Sequence, residues 1–462
     1  MLFNYQTKAV SDTRAAFLNH RRVILTMPTG SGKTYTAATM VKAAAEKGRS
    51  LLWVAHRNEL LDQARASLAN VGAPPEICTS IQKWNRSGGR IKRPDFIVID
   101  EAHLSIADTY KKLIEAYPKA YVLGLTATPY RLDAQGLGEI YDTIVEGPAT
   151  QHLIDIGRLA PPIYRVPSQL NFAELRKAGR DFDPRQMAAM WDKAKVFAGV
   201  VRNFTQMCPE AKAIAFSSSV EQSQKLVNEF AAAGYIAAHV DAETPQKERA
   251  RLLDLFRKGQ IQILCNVALF TEGYDLPDIQ CVILNRATLS RALYMQMVGR
   301  GGRSAPGKTG FWVLDFGGNV LRHGRWESPV EFNLDGTPPS VSEGVAPMKV
   351  CKSCFIINPI QAKVCTACGW VFPRHTGNAE ETELVSLDDR PSVLEFVEIC
   401  NSATAQMRPE AAAHRLAAVA QNPAEYRKAL QQLATMRGYS AGWVWRTQKN
   451  IPWKGSAKII ND

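Results

Sequence analysis

The chain contains no run of about 18 consecutive apolar residues, so a membrane-spanning helix is not expected. Its opening residues, Met1-Leu2-Phe3-Asn4-Tyr5, lack the basic-then-apolar pattern of a secretory signal, and the sequence reads as that of a cytoplasmic protein. Cysteine is scarce, nine in 462 residues. Five of these, Cys78, Cys208, Cys265, Cys281 and Cys400, are scattered, several in apolar runs where a free thiol acts as a small core residue. Acidic residues are outnumbered, 44 against 56 Lys and Arg, and the formal net charge of +12 favours a polyanionic partner. What is abundant is core-forming material: 46% of the residues are hydrophobic, in a chain too long for one core and suited to two domains plus a smaller appendage.

The strongest local signal follows the apolar run Val23 to Thr26. Met27-Pro28-Thr29-Gly30-Ser31-Gly32-Lys33-Thr34 is a Gly-rich turn ending in Gly-Lys-Thr, built to leave backbone N–H groups free for phosphate oxygens. Lys33 can reach the β and γ phosphates of ATP, the Thr34 hydroxyl can ligate Mg²⁺, and the next helix offers its positive dipole end. The general pattern asks for Gly at position 27, where this chain has Met; Gly30 and Gly32 remain to shape the loop. A second strand, Phe96 to Ile99, ends in Asp100-Glu101-Ala102-His103. Asp100 is placed to hold Mg²⁺ and Glu101 to orient and deprotonate the attacking water. Such an acidic pair can also be a plain helix N-cap; the phosphate loop upstream is what favours chemistry.

Gln6, that loop, Asp100 to His103, Thr126-Ala127-Thr128-Pro129, Phe270-Thr271-Glu272-Gly273-Tyr274-Asp275 and Gln296-Met297-Val298-Gly299-Arg300-Gly301-Gly302-Arg303 together resemble the ordered motifs of superfamily 2 helicases, over residues 1 to 320 or so. Within that superfamily, Leu125 to Leu132, Ala305-Pro306-Gly307-Lys308-Thr309, Leu314-Asp315-Phe316-Gly317-Gly318-Asn319 and a downstream cysteine cluster resemble the bacterial RadD repair ATPases and related phage helicases. The resemblance implies that Gln6 reads the adenine edge and that Thr29, Gly30, Ser31 and Gly32 join Lys33 and Thr34 around the phosphates. It further implies that His103 links the catalytic loop to a second lobe, that Gly273 and Asp275 are ribose-side and interlobe contacts, and that Gln296 senses the γ phosphate. Arg300 and Arg303 then offset charge developing there; alternatively they cap a helix or bind a phosphate backbone.

Short β-branched runs alternate with helical stretches: Leu51 to Ala55, Phe96 to Asp100, Val122 to Leu125, Ala213 to Phe216, Ile236 to Val240, Ile261 to Cys265, Cys281 to Leu284 and Phe311 to Leu314. This is the pattern of an α/β protein with parallel sheets covered on both faces. A break at Glu146-Gly147-Pro148 and Ala160-Pro161-Pro162 divides it. The expected architecture is two tandem RecA-like lobes, 1–150 and 151–335, with ATP between them, then a zinc ribbon at 348–373 and a helical basic and aromatic tail at 400–462. The ribbon rests on Cys351, Cys354, Cys365 and Cys368, two C-x-x-C knuckles whose four thiolates can close a structural Zn²⁺ site. Disulfides and an iron–sulfur cluster are the rival readings.

From Ala405 onward there are nine Lys or Arg against three Asp or Glu, interleaved with Trp443, Trp445 and Trp453. Cations that follow a backbone and rings that stack on bases suit a single-strand binder; the rival is a helical knob with a tryptophan core. His56, Arg57, Thr79, Ser80, Gln82 and Ser217 to Ser219 resemble strand-contacting motifs that touch phosphates without reading sequence, or are ordinary strand-end caps. The sequence thus reads as an ATP-dependent DNA helicase or translocase acting on single-stranded or branched DNA with low sequence specificity. An RNA helicase and a nucleotide-gated DNA-binding adaptor with weak turnover are the alternatives. A role in repair, recombination or phage replication is what the resemblance implies, with single-strand-binding or recombination proteins as further partners.

Overall fold

The computed structural model describes residues 2–88, 93–105, 107–129, 136–167, 177–178, 181–183, 186–187, 196–267, 269, 276, 278–330, 332–335, 348–350, 357–359, 364, 371, 384–386, 413, 416 and 423–450. The chain divides into two compact units, Met1–Ile163 with Leu175–Val345, and Tyr164–Glu174 with Ala346–Asp462.

In the first unit, strands β1 (Arg22–Thr26), β2 (Leu51–Ala55), β3 (Cys78–Ser80), β4 (Phe96–Asp100), β5 (Tyr121–Thr126) and β6 (Thr143–Glu146) form a parallel sheet in the order β3-β2-β4-β5-β1-β6. Successive side chains of a strand face opposite ways. Leu25, Trp53, Val98 and Leu123 accordingly pack on one face, under helices α1 (Asn4–Asn19), α2 (Lys33–Ala45) and α3 (Asn58–Val71), while Ile24, Leu52, Ile97 and Val122 pack on the other with Trp84, Tyr110 and Leu113. Both faces are covered, which is why these strands read as continuous apolar runs rather than alternating ones. Each such fully buried side chain stabilises the fold by about 1.5–3 kcal/mol.

Next come β7 (Pro162–Pro167) and a short hairpin of β8 (Lys177–Ala178) and β9 (Asp181–Phe182). Five strands, β10 (Ala213–Ser217), β11 (Ala237–Val240), β12 (Ile263–Asn266), β13 (Cys281–Asn285) and β14 (Phe311–Asp315), then make a second parallel arrangement in the order β11-β12-β10-β13-β14. Two parallel-sheet α/β lobes in tandem match the sequence expectation. The strands it overlooked include β3 and β6, which have three and four residues and lie at the two edges of their sheet, where a short run leaves little pattern.

Strand register fixes the working edge. Thr26 pairs with Thr126 and Asp100 with Leu125, so β1, β4 and β5 end level with one another. The phosphate loop, the Asp100-Glu101 turn and Thr126 therefore emerge side by side at the carboxyl edge, where parallel sheets bind ligands.

In the second unit, β15 (Met348–Val350) pairs antiparallel with β16 (Ile357–Pro359), Val364 bridges Val371, and β17 (Leu384–Ser386) pairs antiparallel with residues 165–167 of β7. Helices Pro423–Arg437 and Ala441–Asn450 follow, burying Tyr426, Leu430, Leu433 and Val444. Trp445 is 64% exposed, with the Lys449 ammonium 5.4 Å from its ring centre. Cys351, Cys354, Cys365 and Cys368 lie outside the described residues, as do Gly273, Asp275 and Trp453. Among the described residues, no three His, Cys, Asp or Glu side chains come together in a group that could hold a metal ion.

Candidate active site

The chain leaves β1 at Thr26 and turns through Met27 to Gly32 before α2 begins at Lys33. Gly30 and Gly32 have φ of +86° and +83°, a left-handed conformation that disfavours any side chain with a Cβ. At Gly32 a Cβ would also stand 2.5 Å from the Gln6 amide nitrogen. Ser31 steadies the turn by donating from its hydroxyl to the Pro28 carbonyl at 2.7 Å. Met27, the departure from the general pattern, is buried and donates its N–H to the Thr126 carbonyl at 3.1 Å, which ties position 27 into the sheet.

Lys33 folds back over the loop and its ammonium donates to the Met27 carbonyl at 3.2 Å. Burial of that ammonium lowers its pKa, against the nearby Glu101 and Asp100, which favour the charged form; Arg300 and Arg303 push in the same direction as burial. Two carboxylates and three cations thus share one neighbourhood, and they come from both lobes. Thr34, on the first turn of α2, and Asp100 supply only oxygen, the donor type that Mg²⁺ takes. Asp100 is buried and its carboxylate accepts from the Glu101 N–H at 3.0 Å.

Glu101 has φ +53°, the one non-glycine residue with positive φ among those described. Such a conformation costs about 1–3 kcal/mol and persists where the surroundings enforce it. Here they do: the His103 ring nitrogen Nδ1 lies 3.4 Å from the Glu101 carboxylate and 3.2 Å from the Thr126 hydroxyl. That hydroxyl donates to the Thr128 carbonyl and accepts from the Thr128 N–H, each at 3.1 Å. His103 was expected to connect the catalytic loop to the second lobe; the contacts just given tie it to β5 of its own lobe. Thr126 as a hub for both turns had no signal in the sequence beyond membership of its motif.

Gln6 is buried against the loop, its amide oxygen accepting from the Phe3 N–H at 3.0 Å and its amide nitrogen donating to the Ser31 carbonyl at 3.3 Å. Tyr5 donates to the same carbonyl at 3.1 Å, and the Arg158 guanidinium stacks 3.6 Å over the Phe3 ring.

The second lobe approaches through the helix Arg291–Gly299, capped by Ser290 and carrying the buried Gln296; Arg300, also buried, follows at its end. Contact with the phosphate loop is direct. A Cβ on Gly299 would lie 2.9 Å from Thr29 Cβ, and one on Gly30 would lie 3.1 Å from both Arg303 Cγ and Leu159 Cδ2. Gly301 and Gly302 are glycines for steric reasons, since a Cβ at either would run into the ring of Phe311 or Trp326. The break between the lobes also belongs to the site. Gly147 donates to the Thr26 carbonyl at 2.8 Å, and Ala160 donates to the Gly302 carbonyl at 2.8 Å. Beside the loop, a cavity of about 300 Å³ is lined by Thr26, Met27, Thr29, Ala127, Met295 and Trp326.

The strand-contact candidates behave unevenly. Ser80 and Ser219 cap helices, accepting from the N–H groups of Lys83 and Gln222, which is the ordinary structural role. Arg57 donates to the Leu269 carbonyl of the second lobe at 3.0 Å, and Glu59 pairs with Arg249 at 3.5 Å, so the start of α3 makes a second contact between lobes. Sequence reasoning singled out Leu314 to Asn319 as a motif but assigned no role to the buried network that Asp315 and Asn319 build at the carboxyl end of β13 and β14. Asp181 accepts from Thr288 and Leu289 and pairs with Arg286 at 3.1 Å, while Asp315 accepts from the N–H groups of Gly317 and Val320 and from Asn319. Burial raises the Asp315 carboxyl to about 6 and lowers the His323 imidazole to about 4.

Comparison with known proteins agrees with this geometry. Residues 1–88 and 76–131 match the family described as type III restriction enzyme, res subunit, and residues 198–305 match the helicase conserved C-terminal domain. A 51.5 kDa protein of a Lactococcus phage is 35% identical over 354 residues, covering 75% of this chain and 77% of the phage protein. A Saccharomyces cerevisiae protein named as an ATP-dependent helicase, IRC3, is 27% identical over 336 residues, 64% of this chain and 48% of its own length, so the chain spans about half of that relative. Among solved structures, a fragment of an HsdR subunit of a type I restriction enzyme from Vibrio vulnificus shares the fold, with a TM-score of 0.55, 22% identity, and coverage of 72% of this chain and 66% of that one.

Proposed function

Because the chain belongs to the superfamily 2 helicases, enzymes that hydrolyse ATP, we propose that its two lobes close on one ATP·Mg²⁺ and turn hydrolysis into movement along, or remodelling of, DNA. The observation that carries this reading is the seating of Gly299 and Arg303 on Thr29 and Gly30, which puts a cationic turn of one lobe on the phosphate loop of the other. In this reading Lys33 and the loop N–H groups hold the phosphates, and Thr34 and Asp100 hold Mg²⁺, which supplies charge neutralisation when bound. Glu101, oriented by His103, takes the proton of the attacking water, and Arg300 and Arg303 offset charge on the transferred group. Gln6 and Gln296 flank the nucleotide.

DNA is preferred to RNA on the restriction-enzyme likeness of the amino-terminal lobe, while the net charge of +12 suits either polyanion. The exposed Trp445 with Lys449 beside it adds a ring and a cation of the kind that holds single strands. The RadD resemblance supports work on DNA in repair or recombination, and the phage source of a 35% identical relative suits a role in phage replication. The test is ATP hydrolysis with and without single-stranded DNA and RNA. We expect DNA to stimulate turnover strongly and Lys33→Ala to abolish it. Low turnover indifferent to either polymer would favour an adaptor, and preferential stimulation by RNA would reassign the substrate.

The second unit is proposed to hold structural zinc. Cys351 and Cys354 fall in sequence between β15 and β16, and Cys365 and Cys368 between Val364 and Val371, and two C-x-x-C pairs ten residues apart have the spacing of a structural zinc site. Metal analysis of protein purified without chelators should find one zinc per chain, and metal-free, folded protein would remove the assignment.

A further inference from the structure

We propose that Lys308 is a positioning residue, whose side chain holds the turn Gly301–Arg303 in shape and thereby keeps Arg303 against the phosphate loop. This rests on the reading of Arg303 given above and deepens it. The turn presents three consecutive carbonyls, and each has a donor. Gly302 is held by the Ala160 N–H at 2.8 Å. The other two are held by one group: the Lys308 ammonium donates to the Gly301 carbonyl at 2.5 Å and to the Arg303 carbonyl at 2.9 Å. Lys308 can do so because the chain doubles back, through a bond from its own N–H to the Ala305 carbonyl at 3.1 Å and a left-handed Gly307 at φ +76°. Its ammonium also stands 5.6 Å from the centre of the Phe311 ring, the same ring that forbids a side chain at Gly301.

A cation suits two carbonyls better than a neutral donor, since bonds from an ionised donor are roughly twice as strong. Burial lowers the Lys308 pKa to about 8; the like charge of Arg303 acts in the same direction, and Asp278, itself paired with Lys212, opposes it. Glu210 and Cys208 line, together with Lys308, a cavity of about 320 Å³. At neutral pH the ammonium is charged and the clamp is at full strength. As pH rises through about 8 the charge is lost and the bonds to Gly301 and Arg303 weaken.

Steady-state ATP hydrolysis at saturating single-stranded DNA, from pH 6.5 to 9.5, tests this on the full-length chain. Lys308→Met should lower kcat by about 10- to 100-fold, the loss that follows a misplacement of about 1 Å, with a change in KM for ATP under about threefold. The fall in wild-type kcat above pH 8 should move to higher pH in Lys308→Arg and vanish in Lys308→Met. Combined with Arg303→Ala, Lys308→Met should add nothing, because it acts through Arg303. Wild-type kcat in Lys308→Met alongside a crippled Arg303→Ala would overturn the role of Lys308 alone, as would a loss of the same size in the Arg303→Ala background. Full activity in Arg303→Ala would instead overturn the reading of Arg303 beneath it. Should Lys308→Met fail to fold, an alkaline limb identical in wild type and Lys308→Arg overturns the proposal by itself.

Discussion

Arg300→Ala should reduce ATP turnover by about 10³- to 10⁵-fold while leaving nucleotide binding within a few-fold of the wild type, the pattern of a group that acts on charge developed only in the transition state. The expectation follows from placement. Arg300 is buried at the end of the helix Arg291–Gly299, and the residue before it touches Thr29 of the phosphate loop. Its charge is felt by Lys33, whose ammonium it destabilises. Truncating a buried arginine also removes packing, so Arg300→Lys, which keeps charge but not the fork geometry, belongs in the same experiment with melting curves for both variants. Turnover preserved in a folded Arg300→Ala would move the residue to a backbone-binding or capping role and leave Arg303 as the cationic contact to the loop.

Glu101→Gln should lower kcat by about 10²- to 10⁴-fold, the contribution usual for a positioned base, with ATP affinity retained. The substitution keeps the size of the side chain at a residue whose φ is +53°. It replaces the carboxylate facing His103 with an amide, so His103→Ala is expected to show a smaller loss of the same sign through disordering of Glu101. Single-turnover measurements separate the step affected. A burst of product in Glu101→Gln equal to that of the wild type would mean that cleavage is intact and would exclude Glu101 as the base.

The lobes were legible because their chemistry is local in sequence. A phosphate loop needs a strand, two glycines, a lysine and a helix in consecutive positions, and every one of those requirements is visible in Thr26 to Thr34. The buried strands, covered on both faces, write themselves as apolar runs. Interactions that depend on the partner side chain being far away in sequence were not legible. Thr126 and His103 are 23 residues apart, Arg57 and Leu269 are 212 apart, and Asp181 reaches a network more than 100 residues on. Neither Asp181 nor Leu159 has a residue type that marks it, and each matters only through what the fold brings to it. Ser80, at the end of β3, and Ser219, two residues beyond β10, take the capping alternative that their sequence left open beside strand contact, accepting from the N–H groups of Lys83 and Gln222.

Among the described residues the lobes meet at the phosphate loop through Gly299 and Arg303, at the start of α3 through Arg57 and Glu59, and where the Gly138 N–H donates to the Leu334 carbonyl at 2.9 Å. A joint fastened at several places cannot open at one end without straining the others. In the proposed cycle, energy gained where ATP binds would be shared with the surface around His56, Arg57 and Gln82, residues that resemble strand-contacting motifs. Linkage of this kind runs both ways by thermodynamic necessity: a polymer that favours the fastened arrangement lowers the ATP concentration needed to reach it, by the same factor by which ATP tightens the grip on the polymer.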